Sequence, residues 1–413
     1  MRILLLHQYF LEENDGGGSR WNEMARMWSE KGHEVTVVAG MMHANSLTKK
    51  SEYKGKYFVK KSLGPVTVWR SHVSESYNSG FLGRLWGYFS FVFSSIWALF
   101  FKVEGKFDCI LVTSPPLFIS ISAMLYSAIK KVPMIFEVRD LWPESAIDTG
   151  VVSNRTIIKA AYSLERLSYE RATLINVLTP AFKDSLINKK NVSPKKIVFI
   201  PNAADFSLSE ELLADFDIHN FRRNLGFEEK FVITYVGAHG IANKLEQILD
   251  TAKLLKDLPV VFQLIGDGME KSKLMEVARN ENIQNVVFRD PVSKKDVFKY
   301  ILASDMGTSV LKKADTFKTV YSNKTFDYFS CKKPILMAID GVSRDLVNDA
   351  EAGTFIEPEN PQDFAKNVVL YINDPARLRR EGDNGYLFAK KNFDRRVLSE
   401  RYLTAIQNSI KGV

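Results

Sequence analysis

What most constrains this chain is a rhythm of short apolar runs separated by helical spacing, and the fact that the rhythm starts twice. In the first half the runs are RILLLH (2–7), EVTVVAG (34–40), VTVWRS (66–71), DCILVTS (108–114), PMIFEV (133–138), TLINVLT (173–179) and KIVFIP (196–201). Several are continuous rather than alternating, as strands buried on both faces must be. Between the first two, Trp21, Met24, Ala25 and Trp28 fall on one helical face, and Gly32 can close the helix. That is a β-α-β unit, and its repetition predicts a doubly wound parallel sheet.

The pattern then restarts. KFVITYVG (230–237), VVFQLIGDG (260–268), NVVFRD (285–290), DMGTSV (305–310), KPILMA (333–338) and GTFIEP (353–358) form a second set with helices between. The break falls at IPNAADF (200–206), a Pro/Asn turn without helical periodicity. A chain of 413 residues, 46% apolar, holds two such domains and can fill a core in each. The expected division is 1–200 and 205–392. The tail, 393–413, reads as an amphipathic helix with Val397, Leu398, Tyr402, Ile406 and Ile410 on roughly one face, and by its residues alone it can cap either domain. Two doubly wound α/β domains in tandem are expected to face a cleft at the carboxyl ends of their strands, where ligands bind.

Charge narrows the ligand. Lys plus Arg outnumber Asp plus Glu by 56 to 48, a net +8, which favours nucleic acid, lipid headgroups or phosphorylated small molecules. No nucleic-acid motif supports the first of these. The two cysteines, Cys109 and Cys331, lie in apolar segments, so a disulfide framework is not expected and a reducing cytoplasm is. The opening MRILLLHQYF lacks the long apolar core of a signal peptide. Residues 85–101, LWGYFSFVFSSIWALFF, carry no charge over 17 positions. Three readings stand: a partly buried helix, a helix lying in a membrane interface, or a span, for which about 20 apolar residues are needed. Nearby, KKSEYKGKYFVKK (49–61) holds six lysines, three aromatics and one acid. It reads as a solvated face or as a surface for an anionic membrane.

The glycines of NDGGGSRW (14–21) open the first helix too far from the strand for a dinucleotide fingerprint, and the second strand ends in Ala39-Gly40 rather than an acid. Gly17 and Gly18 still suit close approach of a ligand, or a plain surface turn. DFD (215–217) resembles a metal-holding Asp-x-Asp, but it lies in a helix-like acidic stretch rather than at a strand end. No GxxxxGK[ST], HExxH or CxxC occurs, and no metal is expected. LIGDG (264–268) places Gly266, Asp267 and Gly268 in a tight turn after a strand. SNKTFDYFSCKKPIL (322–336) predicts a helix over 323–331, capped by Ser322 or Asn323, followed by a strand. Its free amides, its positive dipole end and Lys324 suit a diphosphate, and Asp327, one turn on, suits a ribose diol.

VPMIFEVRDLWPES, IPNAADF, LIGDG and NKTFDYFSCKKPIL together resemble glycosyltransferase family 4, over nearly the whole chain. The likeness is to the bacterial O-antigen, capsule and colanic-acid subgroup that includes WbuB-type L-fucosamine transferases. It implies the GT-B fold, with the last helix crossing back to an acceptor-binding first domain, and a sugar-nucleotide-binding second domain. It implies a retaining transfer from a nucleoside-diphosphate sugar, UDP ahead of GDP, without metal or other cofactor. The family's Glu-x7-Glu element falls on Thr319 and Asp327. Its diphosphate pair maps onto AHGIANK, where Lys244 fits approximately, the Arg is absent and Lys324 compensates. Gly266, Asp267, Gly268 and FRDPV with Arg289 match segments enclosing the base. RDLWPE puts Arg139 and Asp140, with Glu144 beyond, near the reacting sugar. Such enzymes extend a polyprenyl-diphosphate-linked saccharide at the inner face of the inner membrane. A sugar-nucleotide 2-epimerase of the same fold and a non-catalytic sugar-nucleotide-binding protein are the other readings.

Overall fold

The computed structural model describes residues 1–12, 15, 20–42, 48–78, 80–148, 150 and 152–411. The chain forms two compact units. Among the described residues, one holds everything up to Pro201 and everything from Leu398, and the other holds Asn202–Val397.

The first unit is built on β1 (Arg2–Leu6), β2 (Glu34–Gly40), β3 (Phe58–Leu63), β4 (Val66–Ser71), β5 (Cys109–Ser114), β6 (Met134–Val138), β7 (Leu174–Val177) and β8 (Ile197–Phe199). They lie in the order β3-β4-β2-β1-β5-β6-β7-β8. All neighbours are parallel except β3 and β4, which pair as a hairpin with Phe58 opposite Ser71. The strand β3 is the one the apolar rhythm does not reveal. Its Lys60, Lys61 and Ser62 make it read as a charge run, and it survives as a strand because it is an edge, exposed in alternation. By contrast β5 and β6 are buried at every position, as both-faced burial requires.

The second unit is a wholly parallel sheet of β9 (Phe231–Val236), β10 (Val260–Ile265), β11 (Val286–Arg289), β12 (Met306–Val310), β13 (Ile335–Ala338) and β14 (Gly353–Phe355), ordered β11-β10-β9-β12-β13-β14. Its chain winds outward from β9 through β10 to β11, then returns to the other side through β12. The strand order therefore reverses between β9 and β12, just as it does between β1 and β5 in the first sheet. In open α/β sheets ligands bind at the carboxyl end of such a switch.

The last helix, Arg395–Lys411, leaves the second unit at Val397 and packs in the first. Trp28 Nε1 donates to the Ser399 carbonyl at 3.1 Å, and the Tyr402 ring lies 6.0 Å from Trp21 and 5.9 Å from Trp28. Leu398, Tyr402 and Ile406 are buried, while Val397 is 49% exposed. The expected apolar face thus needs one correction: the stripe runs through 398, 402 and 406, and Val397 lies off it.

Candidate active site

In the second unit the site grows from the helix Asn323–Ser330, which follows β12. Phe326 and Phe329 enter the core, each burial contributing about 1.5–3 kcal/mol. Tyr328 stitches the helix to the sheet: its hydroxyl donates to the carbonyl of Thr234 at 2.9 Å and accepts from the amide of Val236 at 3.2 Å. Its ring takes the room left by Gly307, where a Cβ would sit 2.4 Å from the ring. With that face fixed, Lys324 and Asp327 share the remaining side, three positions apart.

The start of this helix has no side-chain cap. Ser322 occupies the cap position, but its hydroxyl bonds Ser309 Oγ at 2.5 Å instead. The expectation that Ser322 or Asn323 caps the helix is corrected accordingly: the buried serine pair takes the hydroxyl, so the leading amides are left to another partner. Asn323 accepts from Asn202 Nδ2. Lys324 Nζ lies 4.7 Å from the centre of the Tyr235 ring, beside Gly237 at the end of β9, where a Cβ would come within 3.3 Å of it. It makes no hydrogen bond or ion pair among the described residues. Burial pushes its ammonium down to about 8, only partly opposed by Asp327. The Asp327 carboxylate likewise has no hydrogen-bond partner among the described residues, and burial raises its pKa against the pull of Lys294 and Arg395.

Lys294 and Arg395 are residues that motif reading missed. Lys294 Nζ lies 2.7 Å from Asp205 Oδ2 and Arg395 Nη1 3.5 Å from it, and burial and these two cations act on Asp205 in opposite senses, the cations winning. They come from β11's following helix and from the start of the last helix, and no sequence spacing joins them to Asp327. His239 was also passed over, although a histidine between Gly237 and Gly240 just after a strand was a usable signal. It is fully buried, and neither ring nitrogen has a hydrogen-bond partner among the described residues. Burial lowers its pKa to about 4, so it is neutral at pH 7.

The other expected residues of this unit are placed as follows. Lys244 adopts a left-handed backbone (φ 46°) just before the helix Glu246–Leu254, and its side chain makes no ion pair among the described residues. Gly266 and Gly268 are required by their own neighbours: a Cβ would meet the Gly237 carbonyl oxygen at 1.9 Å and the His239 carbonyl oxygen at 2.5 Å. Asp267 is exposed and holds the Gly268 amide at 2.8 Å. The Arg289 guanidinium turns away toward Gln263 Oε1 at 2.6 Å and stacks 5.0 Å from Tyr300. Thr319 Oγ1 donates to the Thr316 carbonyl at 2.7 Å. Of the DFD acids, Asp215 is the last residue of one helix and Asp217 caps the next, holding the Asn220 amide at 2.9 Å. Gly17 and Gly18 lie outside the described residues.

In the first unit the corresponding edge is at β5 and β6. Arg139 directly follows β6, and its amide donates to Ser114 O at 2.8 Å. Its guanidinium has no hydrogen-bond partner among the described residues, and burial lowers its pKa against the influence of Glu137. The next residue, Asp140, is pushed up by burial, against bonds from Ser145 and the Leu141 amide. Deeper, Arg20 and Glu137 form a buried ion pair, 3.1 Å apart, and Arg20 also donates to the carbonyls of Ile200 and Pro201. Glu144 sits one turn beyond Asp140 but is taken up by Lys190 Nζ at 2.5 Å, which also holds Glu165.

Two Rossmann-like parallel-sheet domains with a cationic helix start at a switch point define a class, and comparison names it. The family described as "Glycosyl transferase 4-like domain" matches residues 15–203, and "Glycosyl transferases group 1" matches residues 217–388. The chain therefore belongs to the group 1 glycosyltransferases of GT-B fold, with a family-4-like first half. The putative colanic acid biosynthesis glycosyl transferase WcaI of Escherichia coli K12 is 26% identical over 293 residues, covering 70% of this chain and 71% of that one. The crystal structure of Anabaena HepE in complex with UDP-glucose superposes with a TM-score of 0.71 at 17% identity, covering 100% of both chains. WaaG, a glycosyltransferase involved in lipopolysaccharide biosynthesis, superposes at 0.70 with 15% identity, covering 98% of this chain and 99% of that one.

Proposed function

We propose that the protein is a retaining, metal-independent glycosyltransferase. It moves a sugar, of N-acetylated amino or deoxy type, from a nucleoside-diphosphate sugar to a polyprenyl-diphosphate-linked saccharide during synthesis of a bacterial surface polysaccharide. The second domain takes the donor, with UDP ahead of GDP, and the first takes the acceptor at the inner face of the inner membrane. Similarity to WcaI, a putative colanic acid biosynthesis enzyme, and to HepE, solved with UDP-glucose, supports this direction.

The observation that carries the reading is the Lys324 ammonium, which has no pairing partner among the described residues, beside a helix start without a side-chain cap. When the sugar–phosphate bond breaks, negative charge grows on the departing diphosphate. Fixed donors in a site shielded from water stabilise that charge more than the ground state. Lys324, the amides of residues 323 and 324, and Lys244 supply such donors. Asn323 borders them. Asp327 accepts from the ribose diol, Lys294 and Arg395 oppose the burial that raises its pKa, and Gly266 to Gly268 with the Arg289 segment border the base. Arg139 gives the first domain a cation without a hydrogen-bond partner among the described residues for an anionic part of the acceptor, and Asp140 orients the acceptor hydroxyl. Glu144, held by Lys190, positions the Asp140 turn.

The test is release of UDP from a UDP-sugar panel with and without a lipid-linked acceptor, in EDTA. Acceptor-dependent release is expected. Release of UDP with epimerised free sugar and no acceptor demand would favour the 2-epimerase, and binding without turnover would favour a non-catalytic sugar-nucleotide-binding protein.

A further inference from the structure

We propose that the helix Gly80–Phe101 lies flat in the headgroup zone of an anionic lipid bilayer and so brings the acceptor end of the first domain to the membrane. The proposal deepens the lipid-linked-acceptor reading above and takes its purpose from it, but it stands on separate observations.

The outer stripe of this helix is aromatic and open. Trp86, Phe93, Trp97 and Phe101 are 54%, 60%, 53% and 68% exposed. They recur at seven, four and four positions, one face of a helix. Trp97 and Phe101 stack at 4.6 Å. The adjoining helix, Ser120–Lys130, extends the same patch with Leu125 and Ile129, the latter 58% exposed. The two helices are joined by Phe100 against Tyr126 at 5.5 Å. Singly scattered exposed apolar residues need no explanation, but a contiguous set of large rings does.

Its opposite side is already used. Phe91, Val92, Ala98 and Leu99 are buried, Ser95 Oγ bonds Ser122 Oγ at 2.9 Å, and Ser94 Oγ donates to the His72 carbonyl at 2.6 Å. No helix among the described residues is long and apolar enough to cross a membrane. A helix packed on one side and aromatic on the other fits an interface, where tryptophan rings settle at headgroup depth.

Charge selects a bilayer over another protein. Lys102, Lys130 and Lys131 cluster where these two helices end and make no ion pair among the described residues. Lys130 Nζ lies 5.7 Å from the Phe100 ring and Lys102 Nζ 5.7 Å from Phe58, at the start of β3. Just before β3, Lys54 and Lys56 are exposed, and so is Lys60 within it. Acids at this end include Glu34, Glu104 and Asp108; Glu34 is paired with Arg2 at 2.7 Å and Asp108 holds the Arg2 amide at 2.8 Å. The six-lysine segment contributes less than its composition promises: Lys50 is paired with Asp15 and Lys61 with Glu52.

The patch is also continuous with the candidate acceptor residues. Phe89 contacts Phe118 at 5.2 Å, and Phe118 contacts Trp142 at 5.5 Å, two positions from Asp140. The Phe89 end of the helix is thereby linked through Phe118 to the turn that carries Arg139 and Asp140, while the lysines lie at its other end.

The experiment is vesicle co-sedimentation of the full chain against phosphatidylglycerol/phosphatidylcholine and pure phosphatidylcholine vesicles, with Phe93→Glu/Trp97→Glu as the variant. Both positions are exposed and outside the candidate active site. The wild type should bind the anionic vesicles, more weakly in high salt, with a blue shift of tryptophan fluorescence, and the variant should lose about tenfold or more in affinity. Equal binding by the variant, indifference of the wild type to phosphatidylglycerol, or a wild-type dimer that the variant splits without any vesicle effect would each overturn the proposal. UDP binding by calorimetry in vesicle-free buffer is run on both proteins. Its absence would count against the donor reading alone and leave the vesicle result standing.

Discussion

The two sheets use the basic residues near their carboxyl edges in contrasting ways. Below the first edge, Arg20 is spent on structure: it pairs with Glu137 and ties down the carbonyls of Ile200 and Pro201. At the second edge, Lys324 is half-buried and pairs with nothing among the described residues. A buried cation with a full set of partners holds a fold together. A buried cation without them costs stability, and it persists where an anionic ligand completes it. The contrast extends to the neighbours. Glu144, singled out for catalysis by the RDLWPE string, has Lys190, whereas Asp327 has no hydrogen-bond partner among the described residues.

Substitutions break this contrast in a graded order. Arg20→Ala leaves Glu137 buried and uncompensated. It should cost about 3–5 kcal/mol of stability in urea unfolding while leaving UDP affinity of the folded protein unchanged; a loss of UDP affinity without loss of stability would reverse the assignment. Lys324→Ala is expected to do the opposite, lowering turnover about 10²–10³-fold, roughly 3–4 kcal/mol, with the melting temperature unchanged or raised. Asp327→Ala should weaken UDP binding by ~1–3 kcal/mol in calorimetry, and undiminished affinity would remove it from the site.

Acidity gives a finer test. The ammonium of Lys324 titrates near 8 because burial disfavours its charged form, so it is mostly charged at pH 7 and mostly neutral at pH 9. If the charged form is the one that binds, UDP affinity should fall about tenfold, ~1.4 kcal/mol, between those values. Lys324→Arg should flatten the profile, because a guanidinium keeps its proton there. The smallest effect is expected from EDTA, which should leave turnover unchanged. Restoration by added Mg²⁺ after chelation would show that a metal, rather than these fixed cations, meets the diphosphate charge.

How much of this was legible beforehand depends on the range of the interaction. The apolar runs located the strands because a buried parallel strand must be apolar at nearly every position. The strand β3 escaped because edge strands are allowed to be polar. Asn323, Lys324 and Asp327 could be read together because one helix turn joins them, and the uncapped start could not, because the Ser322 hydroxyl is drawn off by Ser309, thirteen residues earlier. Lys294, Arg395 and Asp205 gather around Asp327 from three separate elements.

The sequence by itself determined the class of fold, the division into two sheets and the family, since these rest on periodicity and local strings. Only the tertiary structure decided which charges are paired and which aromatic rings stay outside. Arg20 and Lys324 are both basic residues beside a helix start, and nothing in their neighbours along the chain distinguishes them. The difference comes from Glu137 and Tyr235, more than 85 positions away in each case, which the sheets bring within reach.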